Sequence, residues 1–274
     1  MTNHSQGRRY KIDNEDLDTK KRRKKKKINI LLIIFIVLFM YSVFIIARWV
    51  WSNISAKKSN EKIREEVVQE IKVENTGNTG AIEAINTNAF DKKIDFEKLA
   101  QINQDIVGYI DVPNTNISYP IVQADDNDYY LNRDIYKNYN SCGSVFMDYT
   151  NNPSFTDNNT VLFGHNLKTG MMFANLNKIL RGELGDEIYI NIYTKNKNYH
   201  YQMFAIYTSK PIKDPIKTNI SNMEEFINNA INKSEINCNV KPSSDDRIIT
   251  LSTCGNSGNN RVILHGVKIL EEIP

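Results

Sequence analysis

At 274 residues the chain exceeds one typical domain of about 100 to 200 residues but is short for two full domains with linkers, so one sizeable core with appendages is expected. A composition 41% hydrophobic, 10% aromatic and 24% charged excludes a wholly disordered chain, and three cysteines exclude a disulfide-built scaffold. The formal net charge of +3 is unevenly held: residues 1–27 carry 11 Lys+Arg against 4 Asp+Glu, which leaves 24 against 28 for a mildly acidic body.

The basic tail 1–27 ends in KKRRKKKK at 20–27. It is followed at 28–47 by INILLIIFIVLFMYSVFIIA, twenty positions without a charge, which as a helix matches the roughly 30 Å hydrocarbon thickness of a bilayer. The stretch runs directly into Arg48, Trp49 and Trp51 rather than into a small-residue cleavage site, which favours an uncleaved anchor over a signal peptide. The excess of cations before the span predicts a cytoplasmic N-terminus and an extracellular body. Beside a spanning helix, the basic block reads as facing lipid and setting topology; no nucleic-acid partner is expected.

Residues 48–90 read as a stalk or linker: Lys and Glu dominate, apolar positions such as Ile63, Val67 and Ile71 are sparse, and NTGNTG at 75–80 forms a hinge. The folded domain is expected over 91–274. It opens with helical spacing in IDFEKLAQIN, followed by the strand VGYIDV before Pro113. Further strands are expected at 116–122, 143–147, 159–164, 187–193, 198–208, 246–253 and 261–270. Two helices are expected between them. Over 169–180 the apolar stripe is Met172, Phe173, Leu176, Ile179 and Leu180. Over 221–233 it is Met223, Phe226, Ile227, Ala230 and Ile231, with Ser221 and Glu224 as a capping box. Many short strands without regular β-α alternation point to a closed or nearly closed β-barrel decorated by helices.

Cys142, Cys238 and Cys254 are too scattered for a zinc site, and no metal or other cofactor is expected. A disulfide between Cys142 and Cys238 and two free thiols are both compatible with the spacing. Cys254 differs in its setting, since it ends a strand, opens the Gly-rich turn GNSGNN and shares a pleat face with Thr250 and Ser252. Among the histidines, His200 and His265 fall inside strands, whereas His165 follows the strand TVLFG in a loop suited to a catalytic base. Arg261 begins the last strand, so the turn brings it back alongside Cys254, where a guanidinium can stabilise an oxyanion. Taken singly, each also has a structural reading: a small buried thiol, a core imidazole, a rim arginine paired with a carboxylate.

Together these residues carry a resemblance. TLSTC at 250–254, Arg261 shortly after it, and LFGHN at 162–166 before a Met-Phe-Leu segment resemble the class B sortases. VGYIDVPNTNISYPIVQ, DNDYYL at 126–131 and GSVFMDY at 143–149 are also similar to class B segments. The resemblance implies an eight-stranded sortase-type barrel, mainly β, with N-terminal helices and a helix between the sixth and seventh strands. It implies a cysteine transpeptidase with Cys254 as nucleophile, His165 as general acid/base and Arg261 as electrostatic clamp. Asn127, Leu131 and Ser252 fall at positions that line the signal groove in that class. The implied partners are exported proteins with a C-terminal sorting signal of the NPxTN or xPxTG kind, cut after Thr, and an amine of peptidoglycan or its precursor. Two alternatives stand beside this reading. One is a pilus-polymerising sortase, for which a lid motif of the Asp-Pro-aromatic kind is expected before the barrel, although Asp214-Pro215 is followed by Ile216. The other is a non-catalytic cell-envelope scaffold indifferent to loss of Cys254.

Overall fold

The computed structural model describes residues 4–71, 90–210, 216–254 and 260–274, with the backbone alone at 4–16, 18, 28 and 254. The hinge NTGNTG, Asp214-Pro215 and most of the turn GNSGNN lie outside the described residues. The chain divides into two units, Met1–Trp51 and Ser52–Pro274. Helix α1 (His4–Val67) runs through the first unit, where one stretch is long and apolar enough to cross a membrane and none of it is buried within the protein.

The second unit begins with the last turns of α1. The expected stalk needs correcting here: Ala56, Ile63 and Val67 are buried at 4%, 1% and 1% exposure. Their helical spacing gathers the sparse apolar positions onto one stripe, which is enough to dock residues 52–67 on the domain. Strand β1 (Val68–Glu70) then pairs antiparallel with β2 (Lys92–Ile94) outside the barrel. Helix α2 (Phe96–Ile102) follows, its N-terminus capped by Asp95, whose Oδ1 accepts from the Lys98 N–H at 3.0 Å.

The eight expected strands are all present. They are β3 (Ile106–Asp111), β4 (Ser118–Val122), β5 (Val145–Met147), β6 (Asn159–Phe163), β7 (Tyr189–Tyr193), β8 (Asn198–Ser209), β9 (Ile248–Cys254) and β10 (Arg261–Glu272). They close into a barrel in the order β10-β8-β7-β3-β4-β5-β6-β9. The β4–β5 and β6–β9 pairs are parallel, and the remaining pairs are antiparallel. The period-two pattern explains the closure, since alternate residues such as Ile190, Ile192, Ile249, Leu251 and Leu264 turn into one apolar core.

Helix α3 (Leu176–Leu180) is shorter than the expected 169–180. Gly170 and Met172 both have positive φ, the Gly170 N–H closes a turn by donating to the Leu167 carbonyl, and Met172 forms an isolated bridge with Asn166, so helical structure begins only with a 3-10 turn at Phe173–Asn175. The apolar stripe is buried nevertheless. Helix α4 (Met223–Lys233) lies between the sixth and seventh barrel strands, as expected, and packs on the outer face of β8, β9 and β10 through Met223, Ile227 and Ala230. Its cap is one residue later than the Ser221/Glu224 box. Asn222 accepts from the Glu225 N–H at 3.1 Å and donates to the Glu225 carboxylate at 3.2 Å.

Candidate active site

The site is built by strand register. On β6 and β9, parallel neighbours, Phe163 lies opposite Ser252, and the Gly164 N–H extends the ladder by donating to the Ser252 carbonyl at 3.2 Å. His165 and Cys254 each lie two residues beyond that matched pair, His165 just past the end of β6 and Cys254 as the last residue of β9. On the other side of β9, Cys254 is the direct antiparallel partner of Arg261. The ends of β6 and β9 and the start of β10 thus bring the backbone of residues 165, 254 and 261 to one end of the barrel, in that order across the sheet.

The imidazole is held from several directions. His165 Nε2 lies 2.7 Å from the Leu131 carbonyl oxygen, and a carbonyl can only accept, so Nε2 carries the hydrogen and Nδ1 is the nitrogen free to exchange a proton. The His165 carbonyl accepts from the Phe173 N–H at 2.9 Å. Gly143, at φ 60°, presses its backbone against the ring: a Cβ there would meet His165 Cδ2 at 2.9 Å and the Leu131 carbonyl oxygen at 2.6 Å. Only glycine fits that approach. Leu131 belongs to a 3-10 turn at Tyr129–Asn132, whose entry is tied by Asp126 Oδ1 accepting from the Asp128 and Tyr129 N–H groups.

The other sequence candidates fall into place around this centre. Leu131 reaches it through the main chain, while its side chain is partly buried beside Tyr130 and Phe146. Asn127 donates to Asp148 Oδ2 at 2.9 Å and accepts from the Tyr149 N–H at 3.1 Å, an anchor for the loop before that turn. Ser252 is buried between Phe163 and Ile263, two residues before Cys254 on β9. Thr253 Oγ1, buried on the opposite face, has no hydrogen-bond partner.

Among the described side chains, the remaining thiols and imidazoles are occupied structurally. Cys142 and Cys238 are both free rather than bridged, and burial pushes both thiols up from their ordinary range, which disfavours the reactive thiolate. His265, 2% exposed, lies in a buried chain. Asn159 Nδ2 donates to the Lys217 carbonyl, Thr250 Oγ1 donates to Asn159 Oδ1, His265 Nδ1 donates to Thr250 Oγ1, and Tyr207 donates to His265 Nε2 at 3.1 Å. Burial holds the His265 pKa down at about 3 and that of His200 at about 4. His200 stacks on Tyr189 and hydrogen-bonds the Asn191 amide oxygen. Among the described residues, no group of three or more His, Cys, Asp or Glu is arranged to hold a metal ion.

A Sortase domain family model matches residues 110–269, which include all three of the converging residues. The chain belongs to the sortase family. A sortase B of Listeria monocytogenes is 34% identical over 224 residues, covering 80% of this chain and 88% of the relative. A Bacillus anthracis structure described as similar to sortase B superposes with a TM-score of 0.63 at 30% identity, covering 78% of this chain and 96% of that one. A Staphylococcus aureus sortase B–substrate complex superposes at 0.58 with 34% identity, covering 64% and 84%. These similarities assign the chain to class B, with the barrel and the cysteine transpeptidase activity of that class. Sequence reasoning missed the Leu131 carbonyl and the Gly143 backbone as parts of the site. The segments DNDYYL and GSVFMDY, similar to class B over just these stretches, were the available signal.

Proposed function

We propose that this sortase is a membrane-anchored class B transpeptidase in which Cys254, His165 and Arg261 perform the chemistry. The observation supporting this reading is the strand register, in which Arg261 pairs with Cys254 and His165 follows Phe163, the residue paired with Ser252, by two positions. In the first half-reaction the Cys254 thiol yields its proton to His165 Nδ1, and the sulfur attacks the carbonyl carbon of the signal's Thr. The tetrahedral oxyanion is stabilised by the Arg261 guanidinium and a backbone N–H near Cys254. Collapse breaks the C–N bond, the departing amine takes the proton from His165, and a thioester to Cys254 remains. In the second half an amine attacks that thioester, His165 accepts the amine's proton, and the sulfur leaves. The Nε2–H to Leu131 bond persists throughout, so the ring shuttles its proton from one nitrogen without turning.

The signal is of the NPxTN or xPxTG kind, and the acceptor is an amine of peptidoglycan or its precursor. The similarity to a sortase B solved as a substrate complex supports a peptide substrate. Asn127, Leu131 and Ser252 line the signal groove in this reading. One apolar helix compatible with a single span, behind the basic run 20–27, supports an anchor with a cytoplasmic N-terminus and an extracellular barrel. The test is a panel of quenched NPxTN and xPxTG peptides incubated with an amine and the chain from Ser52 onward. Cleavage after Thr with amine capture, lost in Cys254→Ala, His165→Ala and Arg261→Ala, is expected. Cleavage retained in Cys254→Ala overturns the assignment.

A further inference from the structure

We infer that residues 52–67 of α1 belong to the apparatus that positions His165, so that the segment following the apolar stretch helps set the geometry of catalysis. The inference rests on the assignment of His165 as acid/base. The Ser52 hydroxyl donates to Asn140 Oδ1 at 2.9 Å and lies 3.0 Å from Ser141 Oγ. The Cys142 thiol points to Asn53 Oδ1 at 3.6 Å, and Ala56 packs in one cluster with Cys142 and Met172. These contacts reach a tight loop, in which Asn140 Oδ1 also accepts from the Cys142 N–H and the Asn140 carbonyl accepts from the Gly143 N–H, each at 3.0 Å. The Asn140 side chain that shapes the loop is therefore held by Ser52.

The loop delivers Gly143 against the imidazole and against the carbonyl that binds its Nε2. On the far side, Met172 bridges to Asn166, and its neighbour Phe173 donates to the His165 carbonyl. Ala56, Gly143 and Met172 line one small cleft, so both segments that grip His165 rest on the same helical stretch. A catalytic ring must be held within about half an ångström of its working place, and here that support includes α1. Ser52 and Asn53 touch no reacting atom; they are positioning residues.

The test uses the full-length chain in detergent micelles and reads turnover of the peptide panel together with the pH dependence of Cys254 alkylation by iodoacetamide, followed by peptide mass mapping. The alkylation readout needs no substrate. Ser52→Ala and the double variant with Asn53→Ala are expected to lower kcat about three- to ten-fold, the scale of one hydrogen bond, with KM unchanged. Both should also displace the pH profile of alkylation from that of the wild type, because the Nε2–H to carbonyl bond that holds the ring is loosened. Ser52→Thr keeps the hydroxyl and is expected to restore both readouts, while Glu65→Gln on the exposed face of the same helix leaves them unaltered. Wild-type kcat and alkylation profile in the double variant, or a loss that Ser52→Thr fails to restore, overturns the proposal. Wild-type behaviour of His165→Ala overturns the acid/base assignment itself, and the two failures are thereby told apart.

Discussion

The Leu131 main-chain oxygen receives the Nε2–H of His165 at 2.7 Å, so the ring's tautomer is chosen by the turn at Tyr129–Asn132. We expect 15N NMR of the histidine-labelled domain to show neutral His165 as the Nε2–H form, with Nδ1 unprotonated. A predominantly Nδ1–H spectrum contradicts this account of proton transfer.

Arg261 pairs with Cys254 across the β9–β10 ladder, and in the proposed mechanism it meets charge that exists only in the transition state. Arg261→Ala is expected to lower kcat on the order of 10² to 10³-fold with a smaller change in KM, as for loss of one oxyanion donor. Arg261→Lys should lie between, because an ammonium keeps the charge but loses the planar fork. Steady-state kinetics decide this, and mass spectrometry should still detect a thioester on Cys254 in the lysine variant.

Gly143→Ala places a methyl group within 3 Å of both the Leu131 oxygen and His165 Cδ2, at a φ that alanine adopts with strain. A stability loss of about 1 to 3 kcal/mol is expected in denaturant titration, together with a fall in kcat from the displaced ring. Gly182→Ala, also at positive φ but with open space around it, should lose some stability and leave kcat alone.

His265 titrates at about 3 in the folded chain, well below an unfolded imidazole near 6.5, because burial opposes its charge. Between those values the unfolded state binds the proton and the folded state does not, so stability is full above about pH 6.5 and falls as pH drops towards 3. The slope is about 1 kcal/mol per pH unit, and His200, displaced in the same direction, steepens it. Thermal midpoints measured from pH 7 to 4 should fall, and His200→Gln should flatten the curve.

The barrel was legible because alternation such as Ile188, Ile190 and Ile192 has a single structural solution, and strand bounds moved by only a residue or two. The helix over 169–180 was misjudged because Met172 keeps its burial in an extended bridge and Phe173 in a 3-10 turn as well as either would in a helix, so periodicity could not separate them. Residues 52–67 were read as a stalk because three buried apolar side chains in about four turns leave the segment polar on average. Cys254, His165 and Arg261 were singled out by residue type and setting, and the register brings their backbones to neighbouring strand ends. The Leu131 contribution was hidden, since a main-chain carbonyl belongs to every residue and only the folded turn aims this one.

The parallel seam between β6 and β9 joins segments far apart along the chain, and it closes only after β7, β8 and α4 have been laid down between them. Contacts of such separation form late in folding. Any change that keeps β9 from docking on β6 therefore leaves the ring open and parts the strand end at Cys254 from the segment that carries His165.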